Sequence, residues 1–270
     1  VAIVADELGF ESLWVAEHLI FPETINQRPG DHEDLTVDPE LPLFDPFVVL
    51  ASLGAKTERI RLGTNIFNIG LRHPFVSARA VATADILTSG RIELGIGVGW
   101  LEEEWRAVGL DFRTRGSRVD ESIDICQSLW TQPTTSHHGK FFDFDSVVFR
   151  PKPVQKEVPI HVGGDSVHAL KRVVRRGTGW IGMIQTPSTF AHGTEWLATQ
   201  CAEEGRHFEE IDRSAIVNWP DRAAIEDWSS AGATRLIVAP WRRSSDAVEG
   251  LRSYAQFLRQ TPNDLNPLAQ

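Results

Sequence analysis

Seven short apolar runs recur along this chain, and each is followed by a helical pattern. That alternation limits the fold more than any other feature. The strand-like runs span residues 12–17, 60–67, 92–98, 159–163, 179–183, 215–219 and 234–239. Helical patterns occupy 45–57, 74–88, 118–130, 167–176, 188–204, 222–231 and 246–260. Alternation of this kind predicts parallel strands joined by crossover helices. The opening "VAIVADELGFESLWVAEH" is a short helix followed by a strand, so an N-terminal strand is expected ahead of that helix and missing from this sequence. Seven strands and that missing one make eight, the count of a (β/α)8 barrel.

Local signals support single elements. Pro74 suits the first position of its helix, where the missing N–H costs nothing. Ser117 followed by Asp120 resembles a capping box, and Gly177 after "KRVVRR" marks a helix C-terminus. Two stretches interrupt the alternation: a long, Pro-rich, acidic segment at 21–44, and 137–155, read as a short hairpin with a Pro-rich lead into the next strand. Loops of that length act as lids or linkers. Neither stretch looks like a boundary, so residues 1–270 are expected to form a single barrel domain with two insertions.

Charge narrows the partners. A formal net charge of -10 argues against a nucleic-acid binder, which needs a basic field. No run of 18 apolar residues crosses a membrane. Cys126 and Cys201 lie apart in helical runs and read as two reduced, packed thiols of a cytosolic protein. A small-molecule substrate is the remaining class.

In a (β/α)8 barrel the chemistry sits where the strands end. "WVAEH" delivers Glu17 and then His18, a group able to exchange protons near neutral pH; the bland alternative is a histidine bonded to a loop carbonyl. "LGTNIFNIGLRHP" ends its strand in Thr64, Asn65 and Asn68, which suit either the polar edge of a heteroaromatic ligand or a turn before Pro74. "GRIELGIGVGW" carries Gly95, Gly97 and Gly99 at every second position, which is not the spacing of a dinucleotide loop. On a strand those glycines share one face. The three glutamates that follow, Glu102, Glu103 and Glu104, read mainly as a solvated helix start. "IHVGGDSVHALKRV" runs a strand into Gly163, Gly164, Asp165 and Ser166 and then a helix. That is either a phosphate-binding turn or a tight turn with Ser166 as N-cap. His137 and His138 are adjacent on the hairpin and cannot face one metal together, and no metal-ligand spacing appears.

Taken in order, "WVAEHLIFPE", "TERIRLGTNIFNIGLRHPFVSARAVATADILTSGRIELGIGVGWLEEEWRAVGLDF" and "FRPKPVQKEVPIHVGGDSVHALKRVVRRGTGWIG" resemble the bacterial luciferase-like monooxygenase superfamily, most closely its coenzyme F420-dependent oxidoreductase branch. The resemblance covers residues 1 to about 185. It implies a luciferase-like (β/α)8 TIM barrel, hydride transfer with F420, and His18 as the acid/base beside the transfer carbon. It also implies a non-prolyl cis peptide at Asn65-Ile66. Glu17, Val98, Gly99 and Glu103 would line the cofactor, with Gly163, Gly164, Asp165 and Ser166 on its phosphate. Trp100 stands where some members carry a catalytic glutamate, which points away from sugar-phosphate chemistry. The alternatives are an FMN-dependent monooxygenase using dioxygen and a non-catalytic flavin-binding relative. Relatives are often homodimers.

Overall fold

Each predicted strand–helix pair forms; six of the seven strands are shorter than their apolar runs, and the strand expected at 215–219 starts earlier, at Asp212. A computed structural model describes residues 1–25, 37–183 and 185–260; part of the 21–44 insertion, with His32, lies outside the described residues. The order is α1 (Ala2–Leu8), β1 (Ser12–Val15), α2 (Pro46–Gly54), β2 (Arg61–Thr64), α3 (Pro74–Leu87), β3 (Ile92–Ile96), α4 (Glu102–Ala107) and α5 (Arg115–Thr131). It continues with β4 (Thr135–His138), β5 (Asp143–Val147), β6 (Ile160–Gly163), α6 (Val167–Arg176), β7 (Gly179–Gly182) and α7 (Pro187–Glu203). The last described elements are β8 (Asp212–Val217), α8 (Arg222–Ser230), β9 (Arg235–Val238) and α9 (Ala247–Arg259). Seven strands share one sheet in the order β1-β2-β3-β6-β7-β8-β9, while β4 and β5 form a separate two-stranded hairpin.

The chain divides into two compact units. The first comprises Val1–Trp14, Leu53–Gly63 and Pro159–Gln270. Here β6, β7, β8 and β9 run parallel, with His161 opposite Gly179, Trp180 opposite Arg213 and Ser214 opposite Arg235. Its core includes Ile160, Val162, Trp180 and Phe190, the last two stacked at 4.4 Å. Asp6 of α1 accepts the backbone N–H groups of Glu58, Arg59 and Ile60 at 2.8, 3.1 and 2.8 Å, which ties α1 to the start of β2. β8 begins earlier than the apolar run suggests. Arg213 lies in it, hidden as a strand residue by its charge, and the guanidinium bonds the Gly232 and Ile211 carbonyls at 2.7 and 2.8 Å.

The second unit comprises Val15–Ser52 and Thr64–Val158. The ends of β1, β2 and β3 lie side by side in it. Asn65 N donates to Val15 O at 2.7 Å, Phe67 N to Gly95 O at 2.8 Å, and Thr64 Oγ1 to Gly95 O at 2.7 Å. Phe67, Leu94, Ile96, Trp105, Val119 and Ile123 are buried beneath them. Pro74 opens α3 as expected. The capping box at Ser117 does not form. A 3-10 turn, Phe112–Thr114, is capped by Asp111 accepting from Arg113 N at 3.0 Å, and it leads directly into α5 at Arg115. Ser117 therefore lies inside the helix, and its hydroxyl donates to Thr114 O at 3.2 Å. The hairpin begins at Thr135 and is held by Glu121 of α5, which accepts from Phe142 N at 2.9 Å and contacts His137 Nε2 at 3.0 Å. His138 instead meets Asp143 at 2.5 Å, so the two adjacent histidines do face different partners. Cys126 and Cys201 are buried free thiols.

Candidate active site

The glycine strand explains its own spacing. β3 stops at Ile96, so only Gly95 of the three glycines lies in it. The one-face alternation does not continue to Gly97 and Gly99. A Cβ on Gly97 would fall 2.0 Å from Ile66 Cδ1, and one on Gly99 would fall 2.2 Å from Asn68 Nδ2. Gly99 also has φ 72, a left-handed conformation that side chains disfavour. The glycines thus make room for the end of β2. That end is where the Asn65-Ile66 peptide is cis, as the resemblance implies.

Three polar side chains around this bend are left open. Asn65 Oδ1, both amide atoms of Asn68 and the Trp105 indole N–H are buried without a hydrogen-bond partner among the described residues. Buried polar atoms are otherwise almost always paired. Glu103 Oε2 is also buried and unpaired, whereas Val98 and Gly99 are half-buried.

Glu17 and His18 follow β1 and take different partners. Glu17 is almost fully buried, accepts from Asn68 N at 3.0 Å through Oε2, and pairs through Oε1 with Arg72 Nη2 in a very short contact. The Arg72 guanidinium lies 4.6 Å above the Phe67 ring. Burial pushes the Glu17 carboxyl above the usual carboxylate range; the Arg72 charge opposes this, and the Glu104 charge adds to it. His18 turns to Glu104, with Nδ1 at 3.1 Å from Oε2. Phe21 and Trp100 flank the imidazole, with ring centroids at 4.6 and 5.6 Å.

Glu104 is the residue at this site that the sequence reading does not single out from the three adjacent glutamates. It is 1% exposed, not solvated like a typical helix-start glutamate. A signal for it exists: Leu101, Glu104 and Trp105 have i, i+3, i+4 spacing, and all three are buried on one face of the α4 region. Glu102 and Glu103 remain partly exposed.

In the first unit the Gly163–Ser166 turn closes on itself. Gly164 has φ 121, and its carbonyl accepts the Trp180 indole N–H at 2.9 Å. Asp165 Oδ1 accepts from Met183 N at 3.1 Å. Ser166 is the N-cap of α6, accepting from Ala169 N at 3.2 Å. The N-cap geometry expected for Ser166 is therefore present, and Asp165 and Ser166 are exposed at the helix start.

A family model described as Luciferase-like monooxygenase matches residues 1–256. An uncharacterized protein of Mycobacterium tuberculosis is 30% identical over 252 residues, covering 91% of this chain and 87% of that protein. An F420-dependent glucose-6-phosphate dehydrogenase of Kineococcus radiotolerans is 33% identical over 184 residues, covering 67% of this chain but 50% of that protein. Among solved structures, the F420-dependent tetrahydromethanopterin reductase of Methanopyrus kandleri superposes with a TM-score of 0.75 at 17% identity, covering 94% of this chain and 92% of that one. Monooxygenase RslO1 of Streptomyces bottropensis gives 0.74 at 19% identity, covering 96% and 91%. These likenesses show the fold, an α/β architecture of the TIM-barrel type expected from the strand count.

Proposed function

Since this chain belongs to the luciferase-like monooxygenase family, we propose that it is an F420-dependent oxidoreductase moving hydride between a deazaflavin and a small organic substrate. The observation that carries this reading is the 33% identity to a dehydrogenase named for F420. That relative's sugar phosphate is not carried over, because Trp100 stands where some family members have a catalytic glutamate.

The residues present suit a flat ring with a polar edge. Unpaired buried atoms on Asn65, Asn68 and Trp105 could receive such an edge, beside Ile66, Val98 and Gly99. Glu103 would supply a further acceptor. When bound, the deazaflavin would supply the hydride chemistry. His18 would give or take the substrate's proton at Nε2, with Phe21 and Trp100 keeping water from the imidazole. Glu17, locked to Arg72 and Asn68 N, would fix the loop that carries His18. In the other unit, Gly163, Gly164, Asp165 and Ser166 would hold a phosphate group, with N–H groups at the start of α6 as donors.

We also read the chain as one domain acting in the cytoplasm on a small molecule, without nucleic-acid or membrane partners. Among the described residues no helix is long and apolar enough to cross a membrane. A homodimer is supported by a groove of about 830 Å³ lined by Val48, Val76, Leu87 and Val148, whose side chains are exposed.

A second reading, an FMN-dependent monooxygenase, is favoured by the fold likeness to a monooxygenase. Titrating the protein with F420 and FMN side by side separates the two. Tight binding of F420 with weak FMN binding is expected; FMN binding with oxygen uptake would overturn the first reading. His18→Ala should lower turnover about 10²–10⁴-fold, the range of general acid–base catalysis. Unchanged turnover would remove His18 from the mechanism.

A further inference from the structure

We propose that Glu104 is a positioning residue that fixes which nitrogen of His18 carries the proton. This rests on reading His18 as the proton donor and acceptor of the site. The carboxylate is itself immobilised: Oε1 accepts from Leu19 N at 2.6 Å while Oε2 meets His18 Nδ1 at 3.1 Å. The Glu104 side chain is 2% exposed and the His18 side chain 19%. An ionised carboxylate only accepts hydrogen bonds, so Nδ1 must donate and the neutral ring must leave Nε2 bare. No described residue bonds Nε2. Glu17, the neighbouring carboxylate, spends its oxygens on Asn68 N and Arg72, so Glu104 is the carboxylate that sets the imidazole.

The arrangement does two jobs at once. By holding both the His18 ring and the Leu19 backbone, Glu104 fixes the ring's orientation relative to the chain that carries it. It also presents Nε2 as a proton acceptor, or as a donor once the ring is charged. Histidine tautomers are set in this way by the bond at the opposite nitrogen.

The test is ring-nitrogen NMR on the 15N-labelled full chain at a pH where His18 is neutral, with the His18 signals assigned by their loss in His18→Gln. The wild-type protein should show Nδ1 protonated and Nε2 bare. In Glu104→Gln the amide oxygen can keep Leu19 N while the amide NH2 donates to Nδ1, so the proton should move to Nε2. A wild-type ring protonated at Nε2, or a tautomer unchanged in Glu104→Gln, would overturn the proposal. The wild-type measurement stands even if Glu104→Gln fails to fold. In turnover, Glu104→Gln should lower kcat on the order of 10²-fold with the KM for cofactor unchanged. Should F420 turnover fail altogether, the tautomer measurement still reports on Glu104, so failure of the functional reading and failure of this proposal are separable.

Discussion

Two carboxylates, one before β1 and one after it in the chain, are buried in surroundings that move their ionisation in opposite directions. Asp6, before the strand, is surrounded by donors: three backbone N–H groups, with Arg59 nearby. Burial would raise its carboxyl, but those donors and the Arg59 charge hold it below the usual carboxylate range. Glu17, beyond the strand, has one backbone N–H and one guanidinium and shares its surroundings with Glu104; its carboxyl lies above the usual range. A carboxylate satisfied by backbone stabilises the fold. One that burial lifts out of its ordinary range, with a small push from a like charge, keeps a perturbed ionisation, which is a usual mark of a functional site. The pairing agrees with the general division of barrel folds, where the strand starts serve stability and the strand ends serve chemistry.

The contrast can be broken first by removing counter-charges. Arg72→Ala would leave Glu17 buried without its cation, and breaking such a pair costs about 3–5 kcal/mol. Urea denaturation should show that loss; a change under 1 kcal/mol, roughly an exposed pair's worth, would mean the pair is solvated in solution. Asp6→Asn should cost less, about 1–3 kcal/mol, because one amide oxygen can still serve part of the donor set and the remainder is left unpaired. If Asp6→Asn proved the more damaging of the two, the stability role would outweigh the buried ion pair and the comparison would invert.

Much of this is legible in the sequence because it depends on local order. The strand–helix alternation, His18 at a strand end and the N-cap at Ser166 each follow from neighbours within a few residues, whereas the cis peptide at Asn65-Ile66 is implied only by the family resemblance. What is not legible depends on long-range pairing. Glu104 meets His18 across 86 positions, and Asp6 reaches Ile60 across 54. A glutamate inside "EEEW" looks solvated until the burial of Trp105 fixes which face turns inward. The spacing of the glycines excludes a dinucleotide loop, but the bodies they accommodate, Ile66 and Asn68, become identifiable only with the bend in place. Ser117 misleads because the capping is performed upstream by Asp111.

The smallest expected effect is the most diagnostic: the two carboxylates should tilt the stability–pH profile in opposite directions. Glu17 holds its proton to a higher pH folded than unfolded, so the folded state binds more protons between the two values. Its contribution is therefore largest below the ordinary glutamate value of 4.5 and falls as pH rises through the raised folded pKa. Asp6 releases its proton more readily when folded. Its contribution is present above the ordinary aspartate value of 3.8 and is lost as pH falls through the lowered folded pKa. Each slope is at most about 1.4 kcal/mol per pH unit for one proton. Denaturation of the wild type, Glu17→Gln and Asp6→Asn across acidic to neutral pH isolates them by subtraction. The wild-type minus Glu17→Gln difference should decline with rising pH, and the wild-type minus Asp6→Asn difference should grow. Two differences that change with pH in the same direction would show that Arg72 outweighs burial at Glu17, making that residue a second structural anchor like Asp6.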